Sequence, residues 1–238
     1  MEDIFYDDEV IGRVLIRKSE KAKYVGIRLK EGNVTLILPR KMRVEEGIPF
    51  LQSKRDWVLS HLKKSYHKKK DVNVFDENTV FQTNTFELKI TKSPLSSFHF
   101  KLTPKLLTIL CPQAQDIHSE NSQSVIRMGI EKAMRMEANR ILPKKLAFLA
   151  AKHQFTYSDV SIRSSKTRWG SCSSRKNISL SYFLMTLPDE LIDYVLLHEL
   201  CHTKEMNHSI RFWQLMDAVT GNKSNKLRTE LKKYRTSI

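Results

Sequence analysis

The run from Pro188 to His202 constrains this chain more than any other part of it. Pro188 suits the first turn of a helix, where its missing N–H costs nothing. Asp189 and Glu190 follow and complement the positive end of the helix dipole. Leu191, Ile192, Val195, Leu196, Leu197 and Leu200 then fall on nearly all sides, which predicts a buried helix. That helix ends in His198-Glu199-Leu200-Cys201-His202, an HExxH pattern. Polar groups on a buried helix are costly unless they are paired or bound to a metal. Residues four apart share a helical face, so His198 and His202 can aim two imidazoles at one point. Two such ligands are half of a tetrahedral zinc site. Glu199 sits beside them, positioned to take a proton from water at the metal. The competing reading, a chance match on a core helix, has the surrounding helix signals against it.

A third ligand has to come from further along. Glu205 lies on the same face as His198, but seven residues of helix rise about 10 Å, too far for one ion. His208 is off-face for a continuous helix, so the chain would have to break and return. Asn207 tolerates the left-handed geometry such a break would use, and Ser209 can cap a new helix from Ile210. Glu205 and Asp217 remain competitors, and an exposed turn histidine remains the plain reading of His208. A metzincin would carry Gly at the position of Glu205 and a histidine further on; this chain has neither.

Around this centre the pattern predicts an α+β fold. Short β-branched runs at Val10–Arg17, Tyr24–Leu29 and Val34–Leu38 read as strands, with a tight turn at Gly32-Asn33. Residues 44–68 carry apolar positions at helical spacing. Further strands are expected at Thr85–Thr91, Phe98–Leu102 and Leu106–Leu110. Pro112–Ser124 is polar and turn-rich, which suggests a boundary. A long helical pattern follows, with Pro143 expected to kink or split it. Val160–Arg163 reads as a strand. Arg168–Cys172 and Ile178–Phe183 read as a hairpin, with Asn177 able to supply positive φ. A helix stop is expected at Gly221-Asn222. The domain reading is therefore residues 1–115, mainly β with one basic amphipathic helix, and residues 116–238, a compact zincin-like metal-hydrolase domain.

With 238 residues the chain is long enough for one large or two small domains. No run of about 18 apolar residues predicts a transmembrane span. The acidic start lacks the apolar core of a secretory signal. Cys111, Cys172 and Cys201 make no disulfide framework, so a reducing, cytoplasmic setting is expected. The net charge of +15 permits attraction to nucleic acid or nucleotides. Its basic residues concentrate at Lys54–Lys70 and Lys223–Arg235, both at helical spacing, and solvated helix faces are the competing reading.

The segment Thr167-Arg168-Trp169-Gly170-Ser171-Cys172-Ser173, then Ile192-Asp193-Tyr194-Val195 to His202, then Asn207-His208-Ser209 with Phe212-Trp213, resembles the YgjP-like metal-dependent hydrolases, relatives of the SprT-like zincin peptidases. A weaker likeness extends to Phe50, Lys54 and Trp57 in the front half. The resemblance implies metal ligands at His198, His202 and His208 with Glu199 as base. The chain departs from the family at Ser181, where the hairpin often carries Asn.

One zinc ion and three histidines would leave an open coordination position for catalysis. The expected function is a zinc-dependent metallopeptidase acting on protein or peptide. A hydrolase of nucleotide phosphates stays open, as does a nucleic-acid-associated protein with a structural zinc; the last needs four protein ligands, and only three good candidates are visible, which argues against it. Arg168, Trp169 and Gly170 are the candidate substrate-binding residues. Arg168 could hold an anionic group or pair with Asp193. Trp169 could line the cleft or be core, and Gly170 would permit close backbone approach.

Overall fold

The computed structural model describes residues 4–30, 32–70 and 74–238, and for residues 30 and 63–70 the backbone alone. The chain divides into two compact units, Met1–Asn73 and Val74–Ile238. The expected boundary at 115/116 therefore lies inside the second unit.

In the first unit, β1 (Ile4–Asp8), β2 (Gly12–Ser19), β3 (Gly26–Lys30) and β4 (Asn33–Pro39) form one sheet in the order β1-β2-β4-β3. β2 and β4 are parallel, with Val14 opposite Val34 and Ile16 opposite Leu36. Side chains alternate faces along a strand, so these four and Leu38 share the buried face. Leu51 of α1 (Val44–Ser53) and Val58 of α2 (Arg55–Lys70) join the same core. The single helix expected over 44–68 is thus two, broken at Lys54, whose φ of −109° and ψ of 11° leave the helical region. Below that break Asp8, with a fully buried carboxylate, accepts from both Nε and Nη2 of Arg55 and from the N–H groups of Val10 and Ile11. The expected basic face of α2 falls largely on residues 63–70, whose side chains lie outside the described residues.

The second unit holds two three-stranded sheets. β5 (Phe86–Ser93), β6 (His99–Thr103) and β7 (Lys105–Pro112) run in the order β5-β7-β6. β8 (Asp159–Arg163), β9 (Gly170–Cys172) and β10 (Asn177–Ser181) run in the order β8-β10-β9, with β8 parallel and β9 antiparallel to β10. The helices are α3 (Glu120–Lys152), α4 (Asp189–Cys201), α5 (Ile210–Thr220) and α6 (Ser224–Leu231), with a short 3-10 helix at Tyr182–Thr186. All of them pack around one apolar core.

Two local expectations are corrected. α3 is one 33-residue helix that runs through Pro143, so of the kink or split expected there the split does not occur. A proline in a helix interior costs about 3 kcal/mol, and the full burial of Leu142 and Leu146 on either side offsets that. In the hairpin the positive φ belongs to Lys176, at 59°, and not to Asn177; Asn177 instead opens β10, its N–H donating to Ser173 Oγ. Among the described residues no helix is long and apolar enough to cross a membrane.

Candidate metal centre

α4 behaves as its sequence dictates. Leu191, Ile192, Val195, Leu196, Leu197 and Leu200 are all buried, as is Cys201. The helix runs to Cys201, and His202 is its C-cap, still in the right-handed region. His198 and His202 therefore stand one turn apart on a common face. The chain then turns through 203–208 and re-enters a helix at Ile210, where Ser209 Oγ accepts from the N–H of Phe212. Asn207 does not adopt positive φ, because the break is already made by the turn beyond His202. Gly221, at φ 63°, ends α5 as expected.

That return brings His208 back to the pair. Nε2 of His198 lies 3.1 Å from Nε2 of His202 and 3.1 Å from Nε2 of His208. The donor atoms of all three lie within 4.8 Å of one another. Nδ1 of His202 is 3.0 Å from the carbonyl oxygen of Glu205. A carbonyl only accepts, so the proton of His202 sits on Nδ1 and its Nε2 presents a lone pair. Glu205 thus serves the site through its backbone, not its carboxylate. Asp217 is also elsewhere, accepting from Ser224 Oγ at 2.5 Å. Phe212, fully buried, stacks on His202 at 4.5 Å between ring centroids, and Trp213 stacks on His208 at 5.8 Å. Arg228 lies over the Trp213 ring, 4.8 Å from its centroid. Phe212 and Trp213 had no assigned role in the sequence; their signal was their part in the family resemblance, just behind the Ser209 cap.

The electrostatics of the cluster fit a cation. Burial, with His202 and His208 beside it, pushes the His198 imidazolium down to about 3, and burial also lowers that of His202. Neutral rings with lone pairs facing across 3.1 Å repel, and one shared proton could satisfy only one such pair. Zinc held at about 2.0–2.1 Å in a tetrahedral site spaces its nitrogen ligands by roughly 3.3–3.4 Å, close to the two 3.1 Å separations from His198, with the third pair within 4.8 Å. The donor set therefore suits zinc in chemistry and in spacing.

Glu199 is 4% exposed, and its Oε2 has no hydrogen-bond partner. Burial pushes its carboxyl up to about 8, opposed by the positive charge of Arg168. Gly170 of β9 explains how it is held. A Cβ built on Gly170 would sit 2.7 Å from Glu199 Oε1 and 2.8 Å from its Cγ. The strand backbone thus lies directly against the carboxylate, and any side chain there would force Glu199 or the strand to shift.

Of the candidate substrate residues, Arg168 is exposed and within electrostatic reach of Glu199. It does not pair with Asp193, which is held by Lys145 Nζ at 2.6 Å. Trp169 is half-buried and packs on the core, while its carbonyl accepts from the N–H of Ser181. Ser181 Oγ donates to the carbonyl of Ser165, a structural use for the position that departs from the family pattern. Tyr182 donates its hydroxyl proton to Glu131 Oε2 at 2.9 Å.

A family model described as YgjP-like, metallopeptidase domain, matches residues 23–234. No curated protein matches the sequence. Among solved structures, the chain is similar to the metallopeptidase zymogen of Pyrococcus abyssi abylysin, at 23% identity and a TM-score of 0.36, over 41% of this chain and 100% of that one. It is also similar to the metallopeptidase zymogen of Methanocaldococcus jannaschii jannalysin, at 21% identity and a TM-score of 0.35, over 39% of this chain and 94% of that one. Likenesses this distant carry none of the argument below.

Proposed function

The chain belongs to the YgjP-like metallopeptidase family and is a metallohydrolase; from that premise we propose that it is a zinc-dependent peptidase in which His198, His202 and His208 hold one ion and Glu199 is the general base. The observations that support this most are the convergence of three imidazole nitrogens and, next in sequence to the first of them, a buried carboxylate oxygen with no partner of its own. A zinc ion bound there supplies Lewis acidity toward a peptide carbonyl and toward water. Glu199 receives the proton of the attacking water at its free Oε2 and delivers it to the leaving amine nitrogen. Arg168 favours the ionised form that accepts the proton. Gly170 keeps the carboxylate from swinging away. β9 pairs with β10 on one side only, so an extended peptide can add to its other edge. The three free cysteines, two of them fully buried, agree with a reducing, cytoplasmic setting.

The test sets a quenched peptide mixture beside nucleoside triphosphates, with and without chelator and with zinc restored. Zinc-dependent peptide cleavage supports the proposal. Phosphate release without peptide cleavage would transfer the site to nucleotide hydrolysis, the alternative that the surplus positive charge keeps open. Glu199→Gln is expected to retain zinc and lose about 10²–10⁴-fold in turnover; a fully active variant removes the general-base role.

A further inference from the structure

The sheet that carries β9 has two faces, and only one belongs to the metal site. The Cβ direction of Gly170 points at Glu199, and Gly170 stands opposite Leu180, which stands opposite Ile162. Their neighbours in register, Ser171, Ser179 and Ser161, therefore share the other face. Ser161 Oγ and Ser179 Oγ, 3.1 Å apart, agree with that.

A cavity of about 320 Å³ takes its sheet lining mainly from this face, at Arg163, Ser171, Ser179 and Ser181, with Gly170 and Leu180 also reaching it. Its polar lining includes Arg163, Thr167, Arg168, Ser171 and Ser179, and no acidic residue lines it. Among the described residues neither arginine makes an ion pair. Arg163 Nε reaches only Ser161 Oγ, at 3.3 Å; Arg168 feels the charge of Glu199 without touching it. Two unpaired guanidinium groups beside several hydroxyls form a donor-rich concavity. Guanidinium forks match carboxylate and phosphate oxygens, and the volume falls in the range of small-ligand sites. Gly170 and Arg168 line the cavity, and the first lies against Glu199 while the second reaches it electrostatically. The cavity and Glu199 thus share β9 as a wall.

We propose that this cavity is a specificity pocket for an anionic side chain of the peptide, a carboxylate or a phosphate ester, near the bond being cleaved. This rests on the peptidase reading above. An extended peptide on the edge of β9 sends successive side chains to opposite faces. One residue then faces the metal side while its neighbour can turn toward Arg163 and Arg168. A concave site of this size suits a single side chain better than a nucleic-acid strand, which takes a continuous basic groove.

The first experiment reads cleavage. Zinc-loaded protein is given a peptide mixture containing Asp, Glu, phosphoserine, Gln and Lys, and the cut bonds are identified by mass spectrometry. An enrichment of acidic or phosphorylated residues at one fixed position from the cut is expected. Arg163→Gln should reduce that enrichment roughly tenfold, the scale of one charge-assisted hydrogen bond, with Arg163→Lys retaining part of it. Which residue is enriched more, Glu or phosphoserine, identifies the source of the anion. Cleavage with no acidic preference at any position overturns the proposal while leaving the peptidase intact.

The second experiment needs no turnover. Inorganic phosphate and glutarate are titrated into the full-length protein, and the amide signals of residues 163–171 are followed by NMR. Saturable shifts that vanish in a folded Arg163→Gln variant support the pocket even if no peptide is cut. No shift at millimolar anion overturns it, as does a stronger response of the same signals to single-stranded DNA.

Discussion

Replacing Gly170 by alanine tests the tightest contact of the site. The new methyl carbon would stand 2.7 Å from Glu199 Oε1, 2.8 Å from Cγ and 2.9 Å from Cδ. Ordinary van der Waals contact begins near 3.4 Å, so Oε1 must retreat by about 0.7 Å, or the strand must. Turning the tip of the side chain is not enough, because Cγ is also too close and Glu199 is buried. Gly170 does not have positive φ, so backbone strain adds nothing and the whole effect is this collision. Overpacking of this kind costs about 1–3 kcal/mol of stability. A displacement near 1 Å in a catalytic group costs on the order of 10²-fold in rate. The expected result is therefore a 10- to 100-fold loss of kcat with zinc stoichiometry unchanged, since the histidines are not touched. Thermal unfolding supplies an activity-free readout. Glu199→Asp removes one methylene, so the double variant should recover stability that Gly170→Ala alone loses, a positive coupling between the two sites. Wild-type turnover and wild-type stability in Gly170→Ala would refute the account of how Glu199 is held.

Three further outcomes are expected. In the metal-free protein, burial lifts the Glu199 carboxyl from 4.5 to about 8 and drops His198 from 6.5 to about 3. The raised acid loses stability as pH climbs from 4.5 to 8, and the depressed histidine loses it as pH falls from 6.5 to 3. The two oppose each other at intermediate pH, so the clean window lies between pH 6.5 and 8: there the Tm of the chelated wild type should fall, and that of chelated Glu199→Gln should not. His208→Ala leaves two imidazoles, which should weaken zinc binding by at least tenfold in a chelator competition; unchanged stoichiometry and affinity exclude His208 as a ligand. Burial alone would raise the Asp8 carboxyl, but Arg55 and the N–H groups of Ile11 and Val10 hold it below its ordinary 3.8. Its contribution is then present above about pH 4 and lost as pH falls through the lowered value. Asp8→Asn should lower the unfolding midpoint of residues 1–73 at neutral pH and narrow the difference from wild type in acid, as hydrogen exchange over β1, β2 and β4 would report.

Much of the site is legible in one helix. The i, i+4 spacing puts His198 and His202 on one face whatever else the chain does, and apolar positions on nearly every side say that this helix is interior. The caps were equally readable, since Ser209 and Gly221 act through their own backbone neighbours. His208 could be nominated but not placed. Its direction depends on a turn that closes on the carbonyl of Glu205 and on Phe212 and Trp213 stacking behind the imidazoles. Pro143 does not split α3, because a local rule about proline was outweighed by the core around Leu142 and Leu146. Lys54 misled in the other direction, since the apolar spacing runs on through the break.

The sequence by itself determined the α+β character, the buried HExxH helix and the chemistry of its donors, because each depends on residues within a few positions of one another. Tertiary structure alone decided that Gly170 rests on Glu199, that Asp8 meets Arg55 and that two arginines share an acid-free cavity behind β9. Those contacts join residues far apart in the chain through sheet register and helix packing. Such geometry follows from how the whole core closes, and no short-range periodicity encodes it.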